Sequence, residues 1–183
     1  MLVGTERRSF VRSRVPTYTL VWEDEEKSLR ERKNALVLFS KPPAPGLVKT
    51  RLSTLKDGLF TPEVASALYH CMLFDVVEIC CAALADLEAE AEAAAEAAAT
   101  SASASADADV HDVYELVIST TPASNVAVMR SLFEKSGTWP RPLVFIADEG
   151  TSFDEHYNHA FSQAFERGAD TVLSMGADMP ALT

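Results

Sequence analysis

The chain has 183 residues, 48% of them hydrophobic and 23% charged, with a formal net charge of −11. That length and composition suit one soluble globular domain with a real core, and the acidity argues against a nucleic-acid partner, whose phosphates such a chain repels. No stretch reads as the roughly 20 apolar residues of a membrane span. Cys71, Cys80 and Cys81 lack Cys-x-x-Cys or His-rich spacing, which suggests reduced thiols in a cytoplasmic protein rather than a disulfide scaffold or a zinc site.

Residues 1–33 carry a net charge of +2 and read as a flexible N-terminal extension, with organelle targeting by its Arg-rich start as the alternative. A folded α/β domain is expected over 34–183. Ala35-Leu36-Val37-Leu38-Phe39 is a short run apolar on both faces, the pattern of a buried parallel strand. Thr61-Pro62-Glu63 then opens a helix, with an N-cap, a proline in the first turn and an acid beside the positive end of the helix dipole. Ala65, Leu68, Met72, Val76, Cys80 and Leu84 form its expected apolar stripe. From about 86 to 112 the sequence turns into an Ala/Glu/Ser insertion without chemistry. Its start favours a solvated helix, and its part from about 100 to 110 favours mobility.

Further elements follow in alternation: a strand over Tyr114 to Ser119, a helix over 124–136, a strand over Leu143 to Ala147, a helix over Phe153 to Arg167 stopped by Gly168, and a strand over Thr171 to Met175. The second of these helices is expected to bury Phe153, Tyr157, Ala160, Phe161, Ala164 and Phe165, and Trp139-Pro140-Arg141-Pro142 reads as a rigid loop. The alternation predicts an α/β fold, a Rossmann-like parallel sheet in the order 3-2-1-4 with helices on both faces. In that order the first and fourth strands are neighbours at a switch point, where ligands bind at the carboxyl ends of strands.

Two unusual segments fall there. Ser40 to Arg51 belongs to a stretch, 34–56, with four basic residues and no acid, against −12 over residues 57–112. Pro42, Pro43 and Pro45 stiffen it, and Gly46 permits close approach or a positive φ. Lys41, Lys49, Thr50 and Arg51 offer donors and charge, Arg51 as a bidentate grip and Lys49 as a point charge. Neither the Walker spacing nor G-x-G-x-x-G is present. The segment reads either as a phosphate-binding loop or as a Pro-rich surface loop with solvated cations. The second segment, Gly176-Ala177-Asp178-Met179-Pro180, offers one carboxylate after a strand. Asp178 is a turn residue or a ligand for a hard cation that completes its shell with phosphate oxygens and water. His156 and His159 have the spacing of a weak metal pair, and solvated helix-face histidines are the default. No Ser-His-Asp order or activated cysteine points to hydrolase chemistry.

The run Leu38 to Ser53 closely resembles the opening motif of the GT-A-like glycosyltransferase family that includes the proposed arsenosugar-biosynthesis glycosyltransferases. Met175 to Leu182 resembles that family's strand-end acidic motif. The resemblance covers 35–183 apart from the insertion. It implies the N-terminal half of a nucleotide-diphospho-sugar transferase fold, a nucleotide diphosphate sugar as partner, contacts from Lys41, Gly46, Lys49 and Arg51, and Mg²⁺ or Mn²⁺ held by Asp178. The family's Leu-Gly-Glu-Arg-Met-like helix opening reads Phe153-Asp154-Glu155-His156-Tyr157 here, without its Gly and Arg. The family continues beyond the point matching Thr183, so the resemblance also implies a chain truncated after the metal motif and too short for activity alone. Three functions follow: sugar transfer to an unknown acceptor, nucleotidyl transfer from a nucleoside triphosphate, and a truncated, inactive domain that binds a nucleotide or a partner.

Overall fold

A computed structural model describes residues 30–100 and 110–177. Seven main elements follow one another: β1 (Arg30–Phe39), α1 (Pro62–Thr100), β2 (Val110–Thr120), α2 (Ser124–Lys135), β3 (Leu143–Ala147), α3 (Phe153–Glu166) and β4 (Thr171–Gly176). Two short 3-10 turns, Thr50–Leu52 and Thr54–Lys56, lie between β1 and α1. The four strands form one parallel sheet in the order β3-β2-β1-β4, so the expected neighbours β1 and β4 do pair.

Alternation along the strands sorts two cores. Leu36, Leu38, Leu116 and Ile118 pack with α1 and α2, whereas Ala35, Val37, Val117 and Ile146 pack with Ala160 and Ala164 of α3. Helices therefore cover both faces. On the α1–α2 side Phe133 is the hub, with its ring 5.0 Å from those of Phe74 and Trp139 and 5.6 Å from that of Phe145. Trp139, in the loop expected to be rigid, also donates its Nε1–H to the Phe133 carbonyl at 3.2 Å.

Three expectations need correcting. β1 begins at Arg30, inside the stretch taken as extension, and β2 begins at Val110, inside the insertion. The added length of β1, Arg30 to Lys33, is charged rather than apolar. In register, Arg32 faces Asp112 and grips it with Nε and Nη2 at 2.6 and 2.5 Å. Glu115 binds Arg167 at 2.8 Å and lies 3.4 Å from Lys33. Cross-strand ion pairs thus carry the ladder past the core. Residues 1–29 and 101–109, including the Arg-rich start and most of the stretch expected to be mobile, lie outside the described residues.

The second correction concerns helix faces. On α1, Tyr69, Leu73, Val77 and Cys81 are buried with Ala65, Val76, Cys80 and Leu84, while Leu68 is 40% exposed and Met72 half-buried. On α3, Ala160 and Ala164 are buried, but Phe153 and Phe165 are exposed. Small residues let α3 approach the sheet closely, and the aromatics spill over its flank. Burial, helped by the neighbouring Cys81, raises the Cys80 thiol to about 11, so it stays protonated.

The third correction concerns span length. α1 is long and apolar enough, by length and composition alone, to cross a membrane, with mean hydropathy 1.7 in its most apolar window. A helix that lays one face on a sheet passes the same measure.

The ends of the helices follow sequence rules. Thr61 Oγ1 caps α1 by accepting the Val64 N–H at 3.3 Å, and Ser152 Oγ caps α3 by accepting that of Glu155 at 3.2 Å. Gly168, at φ 89°, ends α3 with paired bonds, Gly168 N–H to the Phe165 carbonyl and Ala169 N–H to that of Ala164.

Candidate functional site

The carboxyl ends of β1, β2, β3 and β4 share one edge of the sheet because the strands are parallel. The loop leaving β1 is built by turn chemistry. Ser40 donates its N–H to the Ser119 carbonyl at 2.9 Å, extending the ladder by one rung. Lys41 donates its N–H to the Tyr69 hydroxyl at 3.1 Å, which ties the loop to α1. Pro42 is buried. The Leu47 N–H then reaches the Ala44 carbonyl at 3.1 Å across Pro45 and Gly46, with Gly46 at φ 78°. Proline at the second position and a positive-φ glycine at the third make this a type II turn. The turn by itself requires Gly46.

Beyond it, Val48 is buried and anchors the loop. Lys49 stands at φ 47°, a left-handed conformation rare for a residue with a Cβ, and its ammonium lies 6.0 Å from the centroid of the Tyr69 ring. Thr50 and Arg51 enter the 3-10 turn, where the Thr50 carbonyl accepts the N–H of Ser53 and, at 3.1 Å, its hydroxyl. Arg51 is exposed and Thr50 half-buried. The structure thus gathers Lys41 and Lys49 about Tyr69, sets Gly46 in the turn between them, and leaves Arg51 facing solvent. Tyr69 was absent from the sequence reading because the expected stripe of α1 ran through Leu68.

The β4 exit lies beside this loop. Ala177 is buried and donates its N–H to the Phe39 carbonyl at 3.1 Å. Asp178 follows in sequence but lies outside the described residues. Among the described residues, no three His, Cys, Asp or Glu side chains come together as a cation site.

A third strand exit carries an acid that sequence reasoning missed. Asp148 follows β3 and is 3% exposed. Its Oδ2 accepts the Ser119 hydroxyl at 2.6 Å, and its N–H donates to the Thr120 carbonyl at 3.0 Å. Oδ1 lies 2.7 Å from Nδ1 of His156 in the first turn of α3. The ring nitrogen and that oxygen approach closely but outside hydrogen-bond alignment. His159 turns its own Nδ1 to the Glu149 N–H at 2.8 Å. Both histidines therefore present Nδ1 to the β3–α3 loop and do not chelate a metal through those nitrogens. Gly150 keeps this loop tight: a Cβ there would sit 2.6 Å from Glu155 Cβ and 2.7 Å from His156 N. Glu155 closes the turn, accepting the Thr151 N–H and hydroxyl at 2.6 Å each, and these bonds hold its carboxyl below the usual range. The sequence signal for Asp148 was an acid and a glycine after an apolar strand, the pattern that drew attention to Asp178.

Comparisons with protein-family models, curated proteins and solved structures return no match.

Proposed function

We propose that this chain grips a nucleotide diphosphate sugar at the common exit of β1 and β4, in the manner of a metal-dependent sugar transferase of the GT-A type. The observation that carries the reading is the join between the two exits, the Ala177 N–H on the Phe39 carbonyl at 3.1 Å. A basic, acid-free stretch, residues 34–56, leaves the sheet at one of them, and the segment leading into Asp178 leaves at the other. Support also comes from the loop itself, which Tyr69, Pro42 and Val48 hold in place and which therefore loses little freedom when a ligand arrives.

In this reading Lys49 and Arg51 hold the diphosphate and neutralise the charge that builds on it as it leaves. A Mg²⁺ or Mn²⁺ ion would rest on Asp178 and on the ligand's own phosphate oxygens. That division suits a hard cation that takes one or two protein carboxylates.

Calorimetry with UDP and GDP, with and without Mn²⁺, tests the site. Arg51→Ala and Asp178→Ala should each weaken metal-dependent binding by about 1–3 kcal/mol. Unchanged affinity in both variants removes it. Product analysis separates the chemistries, because transfer of labelled sugar without pyrophosphate marks a sugar transferase and release of pyrophosphate marks nucleotidyl transfer.

A further inference from the structure

We infer that Asp148 and His156 form an acid–base pair, in which the imidazole takes the proton from an acceptor hydroxyl at the carboxyl edge of the sheet. The inference rests on the sugar-transfer reading and assigns the base that reading leaves open.

A buried carboxylate is costly unless it is paired. Asp148 has paired both oxygens, one with the Ser119 hydroxyl at 2.6 Å and the other with His156 Nδ1 at 2.7 Å. The second contact is attractive only when Nδ1 carries a proton. In the neutral ring that leaves the Nε2 lone pair unprotonated, the form a general base needs. His159, one turn along, is set the opposite way: its Nδ1 accepts the Glu149 N–H, so its proton resides on Nε2. On this assignment the two histidines of one helix hold opposite tautomers, with the buried acid selecting the basic one. The His156 side chain is 27% exposed, so its outer edge remains open to a reactant. Besides Asp148, Glu155 acts on it electrostatically, and that carboxylate is already engaged by Thr151.

The pair also stands in the right part of the fold. Ser119, which holds Asp148, faces Phe39 in register, and its carbonyl receives the N–H of Ser40 at the start of the basic loop. β3 and β1 flank β2, so their carboxyl ends lie about 10 Å apart along the sheet edge at roughly 4.8 Å per strand, with the Lys49–Tyr69 contact on the α1 face and His156 on the α3 face. A diphosphate and its attached sugar can bridge that separation. In the step assigned here, His156 Nε2 accepts the hydroxyl proton while the acceptor oxygen bonds to the anomeric carbon. The bond from that carbon to the diphosphate breaks, and its electron pair leaves on the diphosphate. The imidazolium, stabilised by Asp148, then returns its proton to water. Asp148 acts through His156 and is a positioning residue.

The experiment uses water as acceptor and follows release of UDP or GDP from UDP- and GDP-sugars with Mn²⁺, beside calorimetric affinity for the free nucleotide. His156→Gln should lower release about 100-fold or more with nucleotide affinity within about twofold of wild type, and Asp148→Asn should lower release by about 10-fold. His159→Gln should leave release unchanged, and circular dichroism reports folding. Nitrogen-15 NMR should find His156 with Nε2 unprotonated in the wild type and shifted toward the other tautomer in Asp148→Asn. Undiminished release in His156→Gln, a parallel fall of affinity and release, or an Nε2–H tautomer in the wild type overturns the inference. Nucleotide binding without any release overturns it while sparing the nucleotide site. Failure of the wild type to bind nucleotide sinks the functional reading and this inference together.

Discussion

Lys49 shows function and stability pulling apart at a single residue. Its left-handed backbone, φ 47°, costs about 1–2 kcal/mol in a residue with a Cβ, and nothing in the turn Thr50–Leu52 needs a lysine for its geometry. Glycine would relieve that strain while adding about 0.5–1 kcal/mol of unfolded-state entropy. Lys49→Gly should therefore stabilise the fold by about 0.5 kcal/mol and at the same time weaken nucleotide diphosphate binding. Thermal melts and calorimetry on the same variant check the opposite signs. A variant that is more stable and binds as well as wild type would leave the lysine a turn residue and nothing more. Gly46 is the reverse case, because the type II turn already explains it, so its presence in the loop is weak support for a phosphate. Tyr69 matters more than either glycine or proline, since it receives the Lys41 N–H and lies beneath the Lys49 ammonium. One residue's error in the helix stripe was enough to hide it.

At the scale of elements, what could be read in advance was whatever a local pattern dictates. The five-residue apolar run of β1, the Thr-Pro-Glu start of α1, the bounds of β3 and the Gly168 stop of α3 all lie where sequence rules put them. The outer ends of β1 and β2 did not show, because Arg30 to Lys33 and Val110 to Val113 gain strand structure only by pairing with each other. Asp148 was hidden for a similar reason, since its partners Ser119 and His156 are brought to it by the fold alone. The ion pairs at those strand ends predict the acid response. The Arg32 hydrogen bond, aided by Asn34, lowers the Asp112 carboxyl. Burial pushes Glu115 up, but Arg167 and Lys33 more than offset it and bring it below its ordinary value. A depressed carboxylate stabilises the fold above its unfolded value of about 4 and loses that stabilisation as pH falls toward its folded value. Stability should therefore decline from about pH 5 downward, and Asp112→Asn should melt closer to the wild type at pH 3 than at pH 7. Solvent around the half-exposed Arg32 limits the difference to less than about 1 kcal/mol. Identical gaps at the two pH values would mean that the pair contributes nothing.

The whole molecule opposes its own proposed ligand at long range. The chain carries −11 overall, while residues 34–56 carry +4. A nucleotide diphosphate approaching from afar meets the net acidic field, and only near the β1 exit does it meet Lys41, Lys49 and Arg51. Salt acts on these two ranges differently. The screening length falls from about 30 Å at 0.01 M to about 10 Å at 0.1 M, so added salt first removes the repulsion of distant acids such as those of α1 and weakens the short cation–phosphate pairs less. The association rate of UDP or GDP should accordingly rise between about 0.01 and 0.1 M NaCl, whereas a protein with a dominant basic field shows the opposite trend. Stopped-flow fluorescence with a labelled nucleotide measures it directly. A rate that falls steadily over that range would mean that the basic stretch governs the field despite the net charge. A rate indifferent to salt, together with unchanged affinity in Arg51→Ala, would mean that phosphate does not bind at this edge.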